Sequence, residues 1–497
     1  MKIASSAAVR AAEQQLFAQG RISSLQLMDR VIARLVELFR PGRSELADFH
    51  PEHIIVAAGK GNNAGNAIGL AAALRLPVTL LSTCPPDQLS PDTRAQLAHI
   101  PAELLNRQAP EPRPNTLLID GLLGSGASGP LREPIRSLAR QLNRLRIASP
   151  RSLTLAIDIP TGLDADTGRP DPDAIRADIS CPIGCVKPGM LRDGAEQCVG
   201  RLLPIPLPEI SIAEDPSSGQ APRAVADLDL MRGWLPSRPR NSYKNSIGRI
   251  ALIAGSPGMI GAAQLAAEAA LHAGAGLISL HCPRSIYPIL AARIAAEIMV
   301  QPIDSIADIR EPQARALLIG PGLGTALSQS EKNALRQLAE QFPGTVVLDA
   351  DGLNIAAADH WQPRPNWILT PHPGEMRRLL PGAPNDRLET ALLYRRQHSA
   401  TLLLKGARSL IVGDEGIIYN SSGGPCMANG GQGDVLSGVI TALAAQGLSP
   451  QRAAALGAWA CGQSALLSQT RRGLPPAVTP GEVSRGIGEA LAMLPGA

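Results

Sequence analysis

Short apolar runs of strand length recur along this chain, and most of them end in a glycine-rich loop that carries oxygen-bearing side chains. In the first half they are His53–Ala58, Pro77–Ser82, Thr116–Asp120 and Leu153–Asp158. In the second they are Arg249–Ala254, Leu277–Cys282, Ala316–Gly320, Thr345–Asp349, Trp367–Thr370, Thr401–Lys405 and Ser409–Val412. Ala-rich helical stretches separate most of them. Strands alternating with helices predict a parallel sheet wound on both faces, so an α/β fold is expected. A chain of 497 residues is too long for one ordinary domain. Between Leu203 and Leu228 the Pro, Ser, Gly and acidic residues build no core. The expected division is 1–212, a linker over 213–224, and 225–497. Ala7 to Phe39 reads as helical, with Ser23 or Ser24 able to cap a helix.

Composition narrows the function classes. Net charge is +4 and aromatics are 2%. With no basic stripe interleaved by aromatics, nucleic acid is not an expected partner. The seven cysteines are irregularly spaced, which argues for reduced thiols in the cytoplasm. Cys181 and Cys185 have no second pair at zinc-ligand spacing. Met1 to Gln15 lacks the apolar core of a signal peptide, and no run is long and apolar enough to span a bilayer. A cytoplasmic protein with no membrane association is expected.

In such sheets ligands bind at the carboxyl ends of strands. Three first-half loops sit there: Gly59-Lys60-Gly61-Asn62-Asn63-Ala64-Gly65-Asn66-Ala67, Asp120-Gly121-Leu122-Leu123-Gly124-Ser125-Gly126, and Asp158-Ile159-Pro160-Thr161-Gly162-Leu163-Asp164. Asn63, Asp120 and Thr161 offer oxygen ligands to a hard cation, and Asp158 is the natural acid/base. The bland alternative is that all are Asx-turns and caps.

The second half converges on Gly430-Gly431-Gln432-Gly433-Asp434, which leads into a helical stretch. Glycines let backbone approach a ligand closely, amides at a helix start attract phosphate, and Asp434 would lie in the first turn. A carboxylate beside an anion-binding turn is what deprotonates a hydroxyl attacking a phosphoryl group. Upstream loops supply Gly320-Pro321-Gly322-Leu323-Gly324, the paired carboxylates Asp349 and Asp351 as a magnesium neighbourhood, His372 between two prolines, and Lys405 as a cation for a diphosphate.

These motifs carry a resemblance. The three first-half loops with Lys187-Pro188-Gly189 resemble the epimerase domain of the bifunctional NAD(P)H-hydrate repair enzymes, a Rossmann-like sheet. The ordered second-half series resembles their ADP-dependent dehydratase domain, a ribokinase-like sheet. Its signatures are Gly-Ser-x4-Gly-Ala-Ala, His-Ala-Gly-Ala-Gly, Gly-Pro-Gly-Leu-Gly, Leu-Asp-Ala-Asp-Gly-Leu-Asn, Thr-Pro-His-Pro-Gly-Glu, Lys-Gly and Gly-Gly-x-Gly-Asp-Val-Leu-Ser-Gly. The resemblance implies two activities, a lyase that dehydrates (S)-NAD(P)H-hydrate at the expense of ADP and an isomerase that interconverts its R and S epimers. It implies potassium at Asn63, Asp120 and Thr161. Substrate contacts are implied at Asn62, Asn63, Ala64, Gly65, Asn66, Gly124, Ser125, Gly126, Ala127, Ser128, Gly129, Pro130 and Asp158. In the second half it places Ala262, Gly322 and His372 near the hydrate. Lys405, Gly406, Ala407, Arg408, Ser409 and Gly433 lie on the nucleotide, with Asp434 as base. Expected small molecules are NADHX, NADPHX and ADP, with Mg2+ and K+; a homo-oligomer is expected.

Two departures stand out. The family's Asn-Asn-Gly-Gly-Asp-Gly loop reads Asn62-Asn63-Ala64-Gly65-Asn66-Ala67 here, so an acid is lost and two glycines are alanines. Ser-His-Lys-Gly reads Ser242-Tyr243-Lys244-Asn245. The alternatives left open are an ATP-dependent small-molecule kinase of the same fold, and a first half that only binds or oligomerises.

Overall fold

The computed structural model describes the chain apart from residues 41–45, 47–48, 108, 211, 213–221, 312, 472–476 and 495–497. It divides into two units, Met1–Ser218 and Gly219–Ala497.

In the first unit the strands are β1 (His53–Ala58), β2 (Val78–Ser82), β3 (Leu105–Asn106), β4 (Thr116–Gly121), β5 (Leu153–Ile157), β6 (Ile179–Cys181) and β7 (Arg201–Leu202). They pair in the order β3-β2-β1-β4-β5-β6-β7, parallel throughout. Successive side chains of a strand point to opposite faces. Ile54, Val56 and Ala58 accordingly enter one apolar core and Ile55 and Ala57 another. Helices α1 (Ser6–Ala18), α2 (Ser24–Glu37), α3 (Asn62–Leu74), α4 (Pro91–Leu97), α5 (Ile135–Ala148) and α6 (Glu196–Val199) complete the unit. The expected helical segment 7–39 is two helices, because Gly20 turns the chain at φ 65° and Ser23 opens α2 with a capping box to Gln26. Leu27, Met28, Val31, Ile32 and Leu35 form the buried stripe of α2. Full burial of each such side chain stabilises by about 1.5–3 kcal/mol.

The second unit holds β8 (Arg223–Val225), α7 (Lys244–Ile247), β9 (Arg249–Ile253), α8 (Ile260–His272), β10 (Leu277–Pro283), α9 (Tyr287–Ala291) and β11 (Ile298–Ile303). There follow β12 (Ala316–Ile319), α10 (Gln329–Gln341), β13 (Thr345–Leu348), α11 (Asp351–Ala358), β14 (Trp367–Leu369), α12 (Pro373–Leu379) and α13 (Arg387–Gln397). The chain ends with β15 (Thr401–Leu404), β16 (Ser409–Gly413), β17 (Gly416–Asn420), α14 (Gln432–Ala445), α15 (Pro450–Arg471) and α16 (Pro480–Ala492). The sheet order is β11-β10-β9-β12-β13-β14-β15-β16-β17-β8, with the two pairings of β16 antiparallel and the rest parallel. Most of the expected linker lies outside the described residues. Its last two residues, Arg223 and Ala224, belong to edge strand β8, whose backbone pairs with Ile417 and Ile418. Helix α14 is buried from Val435 to Ala445. A Cβ at Gly438 would come within 2.1 Å of Ala266 O, so only glycine permits the close α8–α14 crossing. Among the described residues no helix is long and apolar enough to cross a membrane.

Candidate functional site

Each unit gathers its motif loops at the carboxyl edge of its sheet. In the first, Asp158 follows β5 at φ 66°, a left-handed conformation that a non-glycine residue adopts only under local constraint. Its carboxylate accepts from Ser125 N at 2.9 Å and Ile183 N at 3.2 Å and pairs with the Lys187 ammonium, which also donates to Ile183 O at 2.9 Å. Burial is the largest influence and would raise the Asp158 pKa, but the Lys187 charge, its hydrogen bond and the donation from Ser125 together outweigh it and hold the acid ionised below its ordinary range. Lys187 is 1% exposed.

Asp120, fully buried, lies under the same loops. It accepts from Thr161 N and Thr161 Oγ1, both at 2.7 Å, and from Leu122 N at 3.2 Å. Burial outweighs these donors and pushes its pKa up to about 6. Asn63 donates from Nδ2 to Leu123 O at 2.9 Å, which leaves Oδ1 as its acceptor. Carboxylate, amide oxygen and hydroxyl from Asp120, Asn63 and Thr161 therefore lie on three adjoining loops. This all-oxygen set, with a buried carboxylate met only by uncharged donors, suits a hard cation.

A cavity of about 190 Å³ opens above Asp158 and Lys187, lined also by Asn62, Asn63, Asn66, Gly124, Ser125 and Gly126. Of the expected loop 59–67, residues 59–61 precede α3 and residues 62–67 are its opening turns. Helical spacing puts Asn62, Asn63 and Asn66 on the cavity, while Ala64 and Gly65 turn away from it. A Cβ at Gly65 would meet Met28 Cε at 2.6 Å. Ala127, Ser128, Gly129 and Pro130 line a second, larger cavity of about 710 Å³ with Thr161 and Arg132. Gly124 borders both.

In the second unit, Gly431 at φ 97° is the N-cap of α14 and no side chain caps the helix, so its first amides are open to a ligand. Asp434 lies in that first turn. No protein donor to its carboxylate occurs among the described residues. Burial, with the neighbouring Asp349 and Asp351, pushes its pKa up to about 7, although Lys405 pulls the other way. Lys405 Nζ lies 2.8 Å from Asp349 Oδ1 and 3.8 Å from Glu375 Oε2. Burial opposes its charge, yet Asp349 and Glu375 more than offset that and raise its pKa. A Cβ placed on Gly433 would sit 3.4 Å from this ammonium. Lys405 thus stands against the opening turn of α14.

The remaining expected residues surround this point. Gly322, at φ 58°, is packed so closely that a Cβ would meet Met259 O at 2.6 Å and Ala262 Cβ at 3.0 Å. The Gly406–Ser409 turn joins β15 to β16, and Arg387 Nη2 donates to Arg408 O at 3.0 Å across it. His372 caps α12: its Nδ1 accepts from Gly374 N at 2.9 Å and Glu375 Oε2 accepts from His372 N at 2.8 Å. The paired carboxylates expected to neighbour magnesium are already engaged, Asp349 by Lys405 and Thr370 Oγ1 at 2.9 Å and Asp351 by Gly324 N at 2.8 Å. Among the described residues no group of three or more His, Cys, Asp and Glu is placed to hold a metal.

A family model for the YjeF-related protein N-terminus matches residues 1–189, and one for NAD(P)H-hydrate dehydratase matches residues 250–488. The bifunctional NAD(P)H-hydrate repair enzyme Nnr of Salinibacter ruber is 32% identical over 501 residues, spanning 90% of this chain and 88% of that protein. Its counterpart in Escherichia coli is 34% identical over 437 residues, spanning 85% and 82%. The chain belongs to the bifunctional NAD(P)H-hydrate repair enzymes. Among solved structures, the ADP/ATP-dependent NAD(P)H-hydrate dehydratase of Bacillus subtilis, co-crystallized with ATP/Mg2+, aligns with a TM-score of 0.49 at 28% identity. That alignment covers 55% of this chain and 99% of that one.

Three residues that the structure brings against the expected site residues received no role from the sequence: Lys187, Glu375 and Arg387. Lys187 follows a glycine and a buried cysteine within an apolar stretch, and a lysine in such a run was the available signal. Glu375 closes the Thr-Pro-His-Pro-Gly-Glu signature as the capping partner of His372, but nothing local marks its pairing with Lys405, 30 residues away, or that of Arg387 with Arg408, 21 residues away.

Proposed function

We propose that the second unit dehydrates the S epimer of hydrated NADH and NADPH using ADP, and that the first unit interconverts the two epimers. The observation that carries the reading is Asp434, ionisable near neutrality, at the uncapped start of α14 beside Lys405. Asp434 takes the proton of the ring hydroxyl as its oxygen attacks the terminal phosphoryl group of ADP. The amides of the Gly430–Gly433 turn and Lys405 stabilise the charge on the transferring group, a task of position and electrostatics. The phosphorylated hydroxyl then leaves as phosphate while the adjacent ring carbon gives up a proton to solvent, so the ring double bond of the dihydronicotinamide is restored and AMP and phosphate are released. Lys405–Ser409 and Gly433 hold the nucleotide in this reading, with Ala262, Gly322 and His372 toward the hydrate. Magnesium enters only as the counter-ion of the diphosphate, since Asp349 and Asp351 are engaged elsewhere.

In the first unit Asp158 is the acid/base. Asn62, Asn63, Asn66, Gly124, Ser125 and Gly126, which line the same cavity, contact the substrate there. Potassium, held by Asn63, Asp120 and Thr161, would supply positive charge against the Asp120 carboxylate and tie the three loops together. The proposal extends to a homo-oligomer in the reducing cytoplasm, consistent with seven unpaired cysteines. Light scattering on the purified protein tests the oligomer. The central test is Asp434→Asn with S-hydrate and ADP: AMP release at the normal rate would end the assignment.

A further inference from the structure

One wall of the 190 Å³ cavity comes from none of the motif loops. It is supplied by α1, through Val9, Arg10, Glu13 and Phe17, spaced along a single helix face. The helix is anchored at three points around the cavity. Ala4 N donates to Val186 O, and Val186 N to Lys2 O, both at 3.1 Å, beside Lys187. Ser6 donates from N and Oγ to Asp166 at 3.2 and 2.9 Å. Arg10 Nη1 donates to Gly126 O at 3.2 Å, on the loop that bounds the opposite side. A carboxylic acid on the apolar side of this helix, between the buried Val9 and Leu16, is costly unless it has work to do. Among the described residues the Glu13 carboxyl receives no hydrogen bond.

The two acids on this cavity have opposite environments. Asp158 is held ionised by Lys187 and two amides. Burial, reinforced by the Asp158 charge, raises the Glu13 pKa, while Lys187 and Arg10 only partly oppose the rise. Pairs of carboxyl groups pushed apart in this way divide into a proton donor and a proton acceptor.

Resting on the reading of the first unit as the epimerase, we propose that Glu13 is its general acid, working across the cavity from Asp158. The hydroxylated carbon of the hydrate also bears the ring nitrogen, so it is a hemiaminal. Glu13 gives its proton to that nitrogen as the carbon–nitrogen bond breaks and the bond's electron pair passes to nitrogen. Asp158 takes the hydroxyl proton, and the carbon becomes an aldehyde. Rotation about the adjacent carbon–carbon bond presents the other carbonyl face. Glu13 then takes back the nitrogen proton while Asp158 returns one to oxygen. No oxidant or co-reactant is needed, and both carboxyl groups end as they began. Once the nitrogen is protonated the hydroxyl proton becomes very acidic, so a weak base such as Asp158 suffices and the demand falls on the acid. Phe17, Leu27 and Val31 give the cavity an apolar side against which the open aldehyde would lie.

The test uses the full chain without ADP, starting from purified R-hydrate and following its equilibration to the epimer mixture by chromatography across pH. Glu13→Gln should slow equilibration at least about 10²-fold, the usual lower limit for losing a general acid. It should also abolish the fall in rate at high pH that a general acid predicts for the wild-type protein. Glu13→Asp should recover part of the rate and keep that fall. Thermal unfolding of each variant reports whether the first unit is folded. A Glu13→Gln protein within twofold of wild type overturns the proposal. So does one that is slow yet keeps the alkaline fall, which would mark a merely structural role. If wild type itself equilibrates the epimers no faster than buffer, the epimerase reading fails and this inference with it, an outcome distinct from either.

Discussion

Asp158, buried, and Asp434, half-buried, are both carboxylates at the carboxyl edge of a sheet, each with a lysine near by. They are nevertheless set for different work. Lys187 contacts Asp158 directly, and two backbone amides complete its shell. Lys405 is instead spent on Asp349 and Glu375, and Asp434 sees it only at a distance. One acid is therefore held ionised, whereas the pKa of the other is carried to about 7. A lysine's effect on a carboxylate depends on how many other acids share it.

The largest effect that could break this contrast is on rate. Asp434→Asn should slow dehydration by about 10²–10⁴-fold, the range for removing a general base, while R-to-S equilibration by the first unit stays at its wild-type rate. AMP release and epimer chromatography on the same preparation read both. Equal loss of the two activities would mean that the substitution disturbs folding rather than proton transfer.

Next in size is stability. Lys187→Met strands a buried carboxylate and should lower the unfolding free energy by about 3–5 kcal/mol, read by urea denaturation. Lys187→Met combined with Asp158→Leu should recover much of that loss, because the unpaired charge is gone. A single variant as stable as wild type would show that Asp158 is not the clamped partner the geometry describes.

The pH dependence sharpens the comparison further. A base must be deprotonated, so kcat/KM for dehydration should fall about tenfold per pH unit below about 7 and level off above. Lys405 favours ionised Asp434, so Lys405→Met should move this limb to higher pH. Glu375 and Asp349, left without their cation, add to the same shift. A limb that stays in place would remove Lys405 from the electrostatics of the base.

How much of this was legible in the sequence follows from where the information lies. The central strands, such as His53–Ala58, are buried on both faces and so read as unbroken apolar runs. Leu105–Asn106, Ile179–Cys181 and Arg201–Leu202 are too short to carry a pattern. Ile298–Ile303 contains Pro302, admissible because β11 is an edge strand. Gly416–Asn420 is the return arm of a hairpin whose two-residue turn, Asp414-Glu415, lacks the usual glycine signal. The motif loops announced themselves by glycine and oxygen, but their charge partners did not. Glu13 lies 145 residues from Asp158 in a helix of otherwise ordinary composition, and only packing brings α1 onto the cavity. Of the expected loop 59–67, the part from Asn62 on is helical although its position after a strand and its glycines read as a loop. Its alanines favour continuing the helix, and Ala67 packs where a Cβ on Gly121 would lie only 2.5 Å away.

The smallest expected effect concerns Asn66, where the family carries an acid. It is 7% exposed and its Oδ1 has no partner, although it lines the cavity. An acceptor already unsatisfied contributes no hydrogen bond to the folded state, so its removal gives up little. Asn66→Ala should therefore change stability by less than about 1 kcal/mol, in contrast to Lys187→Met on the same cavity. If the orphaned oxygen awaits substrate, the variant should instead raise KM for epimerisation with kcat nearly unchanged, the pattern of lost uniform binding. A large loss of stability with no change in KM would make Asn66 a packing residue, and the cavity would then be organised by Asp158, Lys187 and the wall of α1 alone.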